Sequence, residues 1–186
     1  VSPDELNGDL LLMESRNSVR NITAHLLEKG CTLPGFMGDI GYAQSNRERY
    51  EGFCQALMDA GKTPNPSLCL TTPLGIDSYR EEIDSFVSSL SRMPDAFVCA
   101  SDYVACILMQ LLEKRGLRVP EDVAVSGFDN NIEDLLAENL TTVQVFNEEL
   151  GSRLALQILY RIKYPHTPHE VTYLESKVLY RASTGD

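Results

Sequence analysis

Short apolar runs alternate along the chain with longer stretches in which apolar residues recur every three or four positions. The runs at 10–13, 33–37, 68–70, 96–100, 123–125 and 141–145 are too short for helices and read as buried strands. Between them, Val19, Ile22 and Leu26 share one face of a helix over 17–29 that stops at Gly30. A Ser45-x-x-Glu48 capping pattern opens a second helix, carrying Tyr50, Phe53 and Leu57 to Gly61. Ser78-x-x-Glu81 opens a third, with Ile83, Phe86, Val87 and Leu90, that Pro94 ends. A helix over 102–115 stops at Gly116, and a brief one is expected at 132–137. A last helix runs from the cap residue Asn147 to about residue 162, before Pro165 and Pro168. Residues 171–180 read as one final extended segment. This alternation predicts an α/β fold, a doubly wound parallel sheet covered by helices on both faces.

In such a sheet a ligand lies beyond the carboxyl ends of the strands. Those ends carry Gly38-Asp39, Thr71-Thr72-Pro73, Ser101-Asp102 and Gly127-Phe128-Asp129-Asn130. Arg47 and Arg49 follow in the next helix, and Tyr42 and Phe128 offer flat apolar faces. Carboxylate, Arg and aromatic together suit a polyol: the polar groups take its hydroxyls and a ring covers its C–H side. Each residue also has a plainer reading: Asp102 as a helix N-cap, Arg47 as a solvated charge, Phe128 as core, Gly127 as backbone geometry.

Composition narrows the function. The 186 residues carry 16 Lys plus Arg against 27 Asp plus Glu, a net charge of −11, which argues against a nucleic-acid surface on this stretch. No apolar run approaches a membrane span, and the first residues lack a signal-peptide pattern. Five cysteines at 31, 54, 69, 99 and 106 form no C-x-x-C pair; most sit in apolar runs, as small hydrophobes of a reducing, cytoplasmic protein. No phosphate-binding glycine loop, nucleophile elbow or metal-ligand spacing is present; His25 reads as structural, and His166 and His169 lie in a Pro-broken loop. No cofactor or metal is expected, and no catalysis. A solute-binding protein of a sugar transporter and a Mg²⁺-dependent phosphoryl-transfer enzyme are the rival readings.

The stretch Asp122-Val123-Ala124-Val125-Ser126-Gly127-Phe128-Asp129-Asn130, followed by Leu140-Thr141-Thr142-Val143, resembles the signature of the lactose-repressor family of bacterial transcription regulators. So does Ser45-x-Arg47-x-Arg49-x-x-Gly52-Phe53-x-x-Ala56-Leu57-x-x-Ala60-Gly61, and more weakly the stretches at 24–30 and 100–105. The resemblance implies one lobe, the C-terminal one, of an effector domain with the type I periplasmic-binding-protein-like fold. Residues 1–146 would form that lobe with its hinge crossings. Residues 147–165 would be a helix returning to an N-terminal lobe, and 166–186 the last crossing and strand. By the same resemblance Arg49 and Asp129 contact a small-molecule effector. Ser101, Asp102, Pro73 and Val145 occupy further effector positions, with Ser101, Pro73 and Val145 departing from the residues usual there. DNA would be bound only through a helix-turn-helix domain outside this chain.

Two helices raise expectations of their own. Val104, Ile107, Leu108 and Leu111 give the helix at 102–115 a core face, while Cys106, Met109 and Leu112 leave the rest apolar too. It is either a central buried helix or, as the resemblance implies, part of a homodimer contact formed by Ala105, Cys106, Met109, Leu112 and Glu133. In the last helix, Leu150, Leu154, Ile158 and Ile162 repeat every fourth position beside Leu159. Such a stripe is expected to be hidden, by exchange with another molecule rather than against its own sheet.

Overall fold

The chain enters through β1 (Leu10–Met13) and α1 (Arg16–Glu28), then builds a sheet from β2 (Pro34–Met37), β3 (Cys69–Leu70), β4 (Ala96–Cys99) and β5 (Ala124–Ser126). Helices α2 (Gln44–Asp59), α3 (Tyr79–Ser89) and α4 (Asp102–Lys114) connect those strands. Beyond them come β6 (Thr142–Gln144), α5 (Asn147–Lys163), β7 (Val171–Leu174) and β8 (Lys177–Leu179). This computed structural model describes residues 7–75, 77–131 and 137–186. The helix expected at 132–137 and Glu133 fall outside them, except that Ala137–Asn139 form a 3₁₀ turn.

The four central strands are parallel, in the order β3-β2-β4-β5. Side chains alternate across them. Phe36 and Val98 face α1 and α2 in a cluster with Val19, Ile22, Phe53, Leu57 and Phe128. Met37, Phe97, Cys99 and Val125 face α3 and α4 with Ile83, Val87, Leu108 and Leu112. Helices therefore cover both faces, as the apolar runs predict. Where α1 and α2 meet, Gly52 allows the approach: a Cβ there would lie 2.1 Å from the Arg16 carbonyl oxygen.

The helix starts differ from the expected caps. α2 begins at Gln44 with Ala43 as its cap, because the Asp39 carboxylate already holds the preceding loop through the Gly41 and Tyr42 amides at 2.8 and 3.1 Å. Ser78 precedes α3 without capping a backbone N–H; its hydroxyl bonds Glu82 rather than pairing with Glu81. Asn147 is the first residue of α5, after Phe146. At α1 the cap position, Ser15, makes no side-chain bond to a helix amide; the preceding Glu14 carboxylate instead accepts from the Asn17 and Ser18 amides.

The final extended segment is two strands in two sheets. β7 runs parallel to β1, and β8 antiparallel to β6. Residues 175–176 separate them; the Ser176 hydroxyl bonds the Glu14 carbonyl at 2.8 Å and meets the Ser18 hydroxyl at 2.8 Å. α5 packs beside β1 and not on the four-stranded sheet. Arg161 pairs with Asp9, to which Gln157 also donates at 2.9 Å. No residue of α5 is buried: Leu154 is 49% and Ile158 53% exposed, and Ile162 reaches 74%. The apolar stripe is thus not covered within the chain.

α4 is a core helix of this single chain. Ala105, Cys106, Met109 and Leu112 are all buried, at 0%, 5%, 8% and 0% exposure, in the same cluster as Val104, Ile107, Leu108 and Leu111. Its all-round apolar character is accounted for without a second molecule, since α3, the sheet and Leu140 enclose it.

Candidate functional site

The strand order reverses direction between β2 and β4: the chain goes from β2 outward to β3, then returns to the other side of β2 for β4. A crevice opens at such a switch point, outside the carboxyl ends of the two strands. Glycine at 38, with φ +158, leaves β2 there, and a Cβ on it would lie 2.2 Å from the Ala100 Cβ that ends β4. Into this place α2 directs Arg49, from its second turn.

Arg49 is 8% exposed. One Nη donates to the Ala100 carbonyl at the end of β4, and the other meets the Asp129 carboxylate at 3.2 Å. Its guanidinium carbon stands 3.6 Å from the centre of the Phe128 ring. Phe128 is therefore both core, at 0% exposure, and the flat face beneath the cation. The Arg49 Nε is buried without a hydrogen-bond partner. Burial pulls the Arg49 guanidinium below its ordinary value, opposed by the Asp129 charge. Burial likewise lifts the Asp129 carboxyl, opposed by Arg49. Desolvation thus strains both charges of a pair whose Asp129 side chain stays 28% exposed.

Asp129 and Asn130 take positive φ, +109° and +48°. That turn aims Asp129 back at Arg49, while the Asp129 amide donates to the Val143 carbonyl at 3.1 Å. Asn tolerates such a backbone better than most residues. The Asn130 side chain is fixed from two sides, donating to Gln144 Oε1 and accepting from Arg181 Nη2 at 2.9 Å. Gln144 and Arg181 escape a reading of strand ends because they reach the turn from β6 and from the residues after β8. The Asp-Asn-Asn run at 129–131 is the one sequence signal of a left-handed turn here.

The remaining predicted positions are placed as follows. Ser101 caps α4, accepting from the Val104 amide at 3.3 Å, so the cap is not Asp102. Asp102 is 1% exposed, and its carboxylate accepts from the Thr142 hydroxyl, with the Asn130 and Asn131 amides nearby favouring its charged form. Burial pushes its carboxyl up to about 6, against the Thr142 hydrogen bond and with the help of the Asp129 charge. Val145 is half-buried against the Phe128 cluster. Pro73 is exposed in the loop after β3, and Arg47 is exposed on α2. The structure brings Arg49, Asp129 and Asp102 together beyond the carboxyl ends of β4 and β5.

A family model for a periplasmic binding protein-like domain matches residues 23–184. The chain belongs to that family. This periplasmic binding protein-like domain is 28% identical over 183 residues to the HTH-type transcriptional repressor PurR of Aliivibrio salmonicida, covering 97% of this chain and 54% of that protein. It is 31% identical over 156 residues to the HTH-type transcriptional regulator DegA of Bacillus subtilis, covering 82% and 45%. The domain thus spans about half the length of the curated relatives it matches. Among solved structures, the transcriptional regulator CelR in complex with cellobiose superposes with a TM-score of 0.83 at 26% identity, covering 95% of this chain and 54% of that one. A protein described as a LacI-family transcriptional regulator from Sanguibacter keddieii gives 0.84 at 25%, covering 96% and 67%. The lactose-repressor resemblance and the one-lobe α/β fold drawn from the sequence both hold. Among the described residues no helix is long and apolar enough to cross a membrane.

Proposed function

We propose that this domain is the effector-sensing part of a ligand-responsive bacterial transcription regulator. The carrying observation is the Arg49–Asp129 pair at the strand-end crevice, two desolvated charges with hydrogen-bonding capacity in hand. Its effector is a small polar metabolite of the sugar class, with hydroxyls that donate to Asp129 and accept from Arg49. Cellobiose in the CelR complex supports that class. The effector performs no chemistry; it favours one arrangement of the regulator by as much as it binds that arrangement better. DNA contact belongs to a helix-turn-helix domain outside this chain, the working form is a homodimer, and the place of action is the cytoplasm. The exposed α5 stripe meets the remainder of the effector domain, which accords with the fraction of its relatives that the chain spans.

Calorimetric titration of the full-length protein with a panel of mono- and disaccharides tests the reading. One sugar should bind, and Asp129→Ala should weaken it by about 1–3 kcal/mol, the worth of a charge-assisted hydrogen bond. Unchanged affinity in Asp129→Ala refutes the assignment.

A further inference from the structure

Asp102 is the most deeply buried carboxylate beside the crevice, and effector contact does not account for it. At 1% exposure it offers a ligand almost no surface. Its oxygens are instead faced by this chain. The Thr142 hydroxyl bonds it from β6, and the Asn130 and Asn131 amides of the turn after β5 lie on its side and favour its charged form. The Asp102 amide returns a bond of 2.8 Å to the Phe128 carbonyl. The first turn of α4 is therefore joined to residues 128–131 around Asp129 and Asn130, the two non-glycine residues that adopt positive φ. Left-handed backbone at a non-glycine residue is costly and persists only where the surroundings enforce it.

We propose that Asp102 is the positioning residue of the effector site: its carboxylate holds the 128–131 turn against β6, and so sets where the Asp129 carboxylate stands. This rests on Asp129 being an effector contact. Among the described residues, the charged or titratable groups acting on Asp102, or on which it acts, are Arg49 from α2, Asp129 from the turn and the Cys99 thiol from β4. β6 adds the uncharged Thr142. An ionised Asp102 presents acceptor oxygens only to the Thr142 hydroxyl and to the two nearby amides. Protonation turns one of those oxygens into a donor, and an amide of the turn loses its favourable neighbour. The turn then loosens as the carboxyl takes up a proton.

The test uses ¹H–¹⁵N spectra of the ligand-free, full-length protein between pH 4.5 and 8. The Asn130 and Asn131 amide signals should shift in one step near pH 6, together with the Asp102 carboxyl carbon. Asp102→Asn should abolish the step, and Asp129→Asn should keep a step but move it to lower pH, because the Asp129 charge that raises it is gone. Amides that stay still in the unaltered protein, or a step that survives in Asp102→Asn, overturn the proposal. If Asp102→Asn does not fold, Thr142→Val decides. It removes the hydroxyl that favours the charged form, so the step should move to higher pH, and a step that stays in place overturns the proposal. Because these spectra need no ligand, their outcome is separate from that of the sugar titration, which bears on Asp129 alone.

Discussion

The Asp102 carboxylate fills the space that a side chain at position 127 would need: a Cβ on Gly127 would lie 2.3 Å from its Oδ1 and 3.0 Å from its Cα. Glycine is required here by a neighbour and not by a positive φ. Gly127→Ala should therefore destabilise the domain by about 1–3 kcal/mol, the usual cost of forcing extra volume into a packed site. Urea denaturation checks this, and a fall in midpoint at unchanged slope is the expected result.

Arg49 combines a planar fork with a stacked face, and lysine can supply neither. Arg49→Lys should lose the Ala100 carbonyl and the Phe128 ring together. Effector affinity should drop at least tenfold while the far-ultraviolet spectrum is kept. Calorimetry on the same sugar panel reads this, and full affinity in the lysine variant would refute a role for the fork.

Met109→Glu would place a charge at a site 8% exposed inside the α4 cluster. A buried unpaired charge costs several kcal/mol. The expected outcome is a lower melting temperature before any change in association. Sedimentation combined with thermal melting separates the two: folded monomers of normal stability would instead make Met109 a contact between subunits.

The Asp102 carboxyl also writes a pH dependence into stability. Its folded-state value, about 6, lies above the ordinary 3.8, so the folded state binds more protons between those values and stability falls as pH rises from about 4 to about 6. At roughly 1.4 kcal/mol per pH unit the effect is at most about 3 kcal/mol. Chemical denaturation across that range should show a steeper fall in the original protein than in Asp102→Asn, whose remaining slope comes from other lifted groups such as Asp129. Equal slopes would contradict it.

Much of this architecture was legible because periodicity reports burial. The runs at 33–37 and 96–100 are apolar at every position since both faces are covered, and they became the two strands that bound the crevice. Arg49 and Asp129 could be picked out because the strand-end rule and the family pattern pointed to the same residues. The surroundings of Asp102 could not: an aspartate after a strand reads alike as cap, ligand or support, and its bond to Thr142 of β6 is a long-range contact. The split of residues 171–180 was hidden for a similar reason. Extended residues look the same whichever sheet receives them, and pairing with β1 or β6 is a long-range choice. The apolar perimeter of α4 left two readings open, since an enclosed helix and an interface helix share one pattern.

Glu14 closes the β1–β7 ladder with its amide, 2.8 Å from the Leu174 carbonyl, and holds the first turn of α1 with its carboxylate. At the far end of α1, His25 and Lys29 grip Asp186, at 2.9 and 2.8 Å. Just upstream of Asp186, the Ser183 hydroxyl joins the Thr141 amide to the Val125 carbonyl, at 2.7 and 2.6 Å. α1 is thus a rod about 20 Å long, clamped at both ends. A lengthwise displacement of the β1–β7 ribbon would be carried along this rod to residues 183–186, beside the strands that carry the Asp129 turn. Motion on the α5 side and geometry at the effector crevice would then be linked by a strut behind the sheet, with no signal needing to pass through the ligand itself.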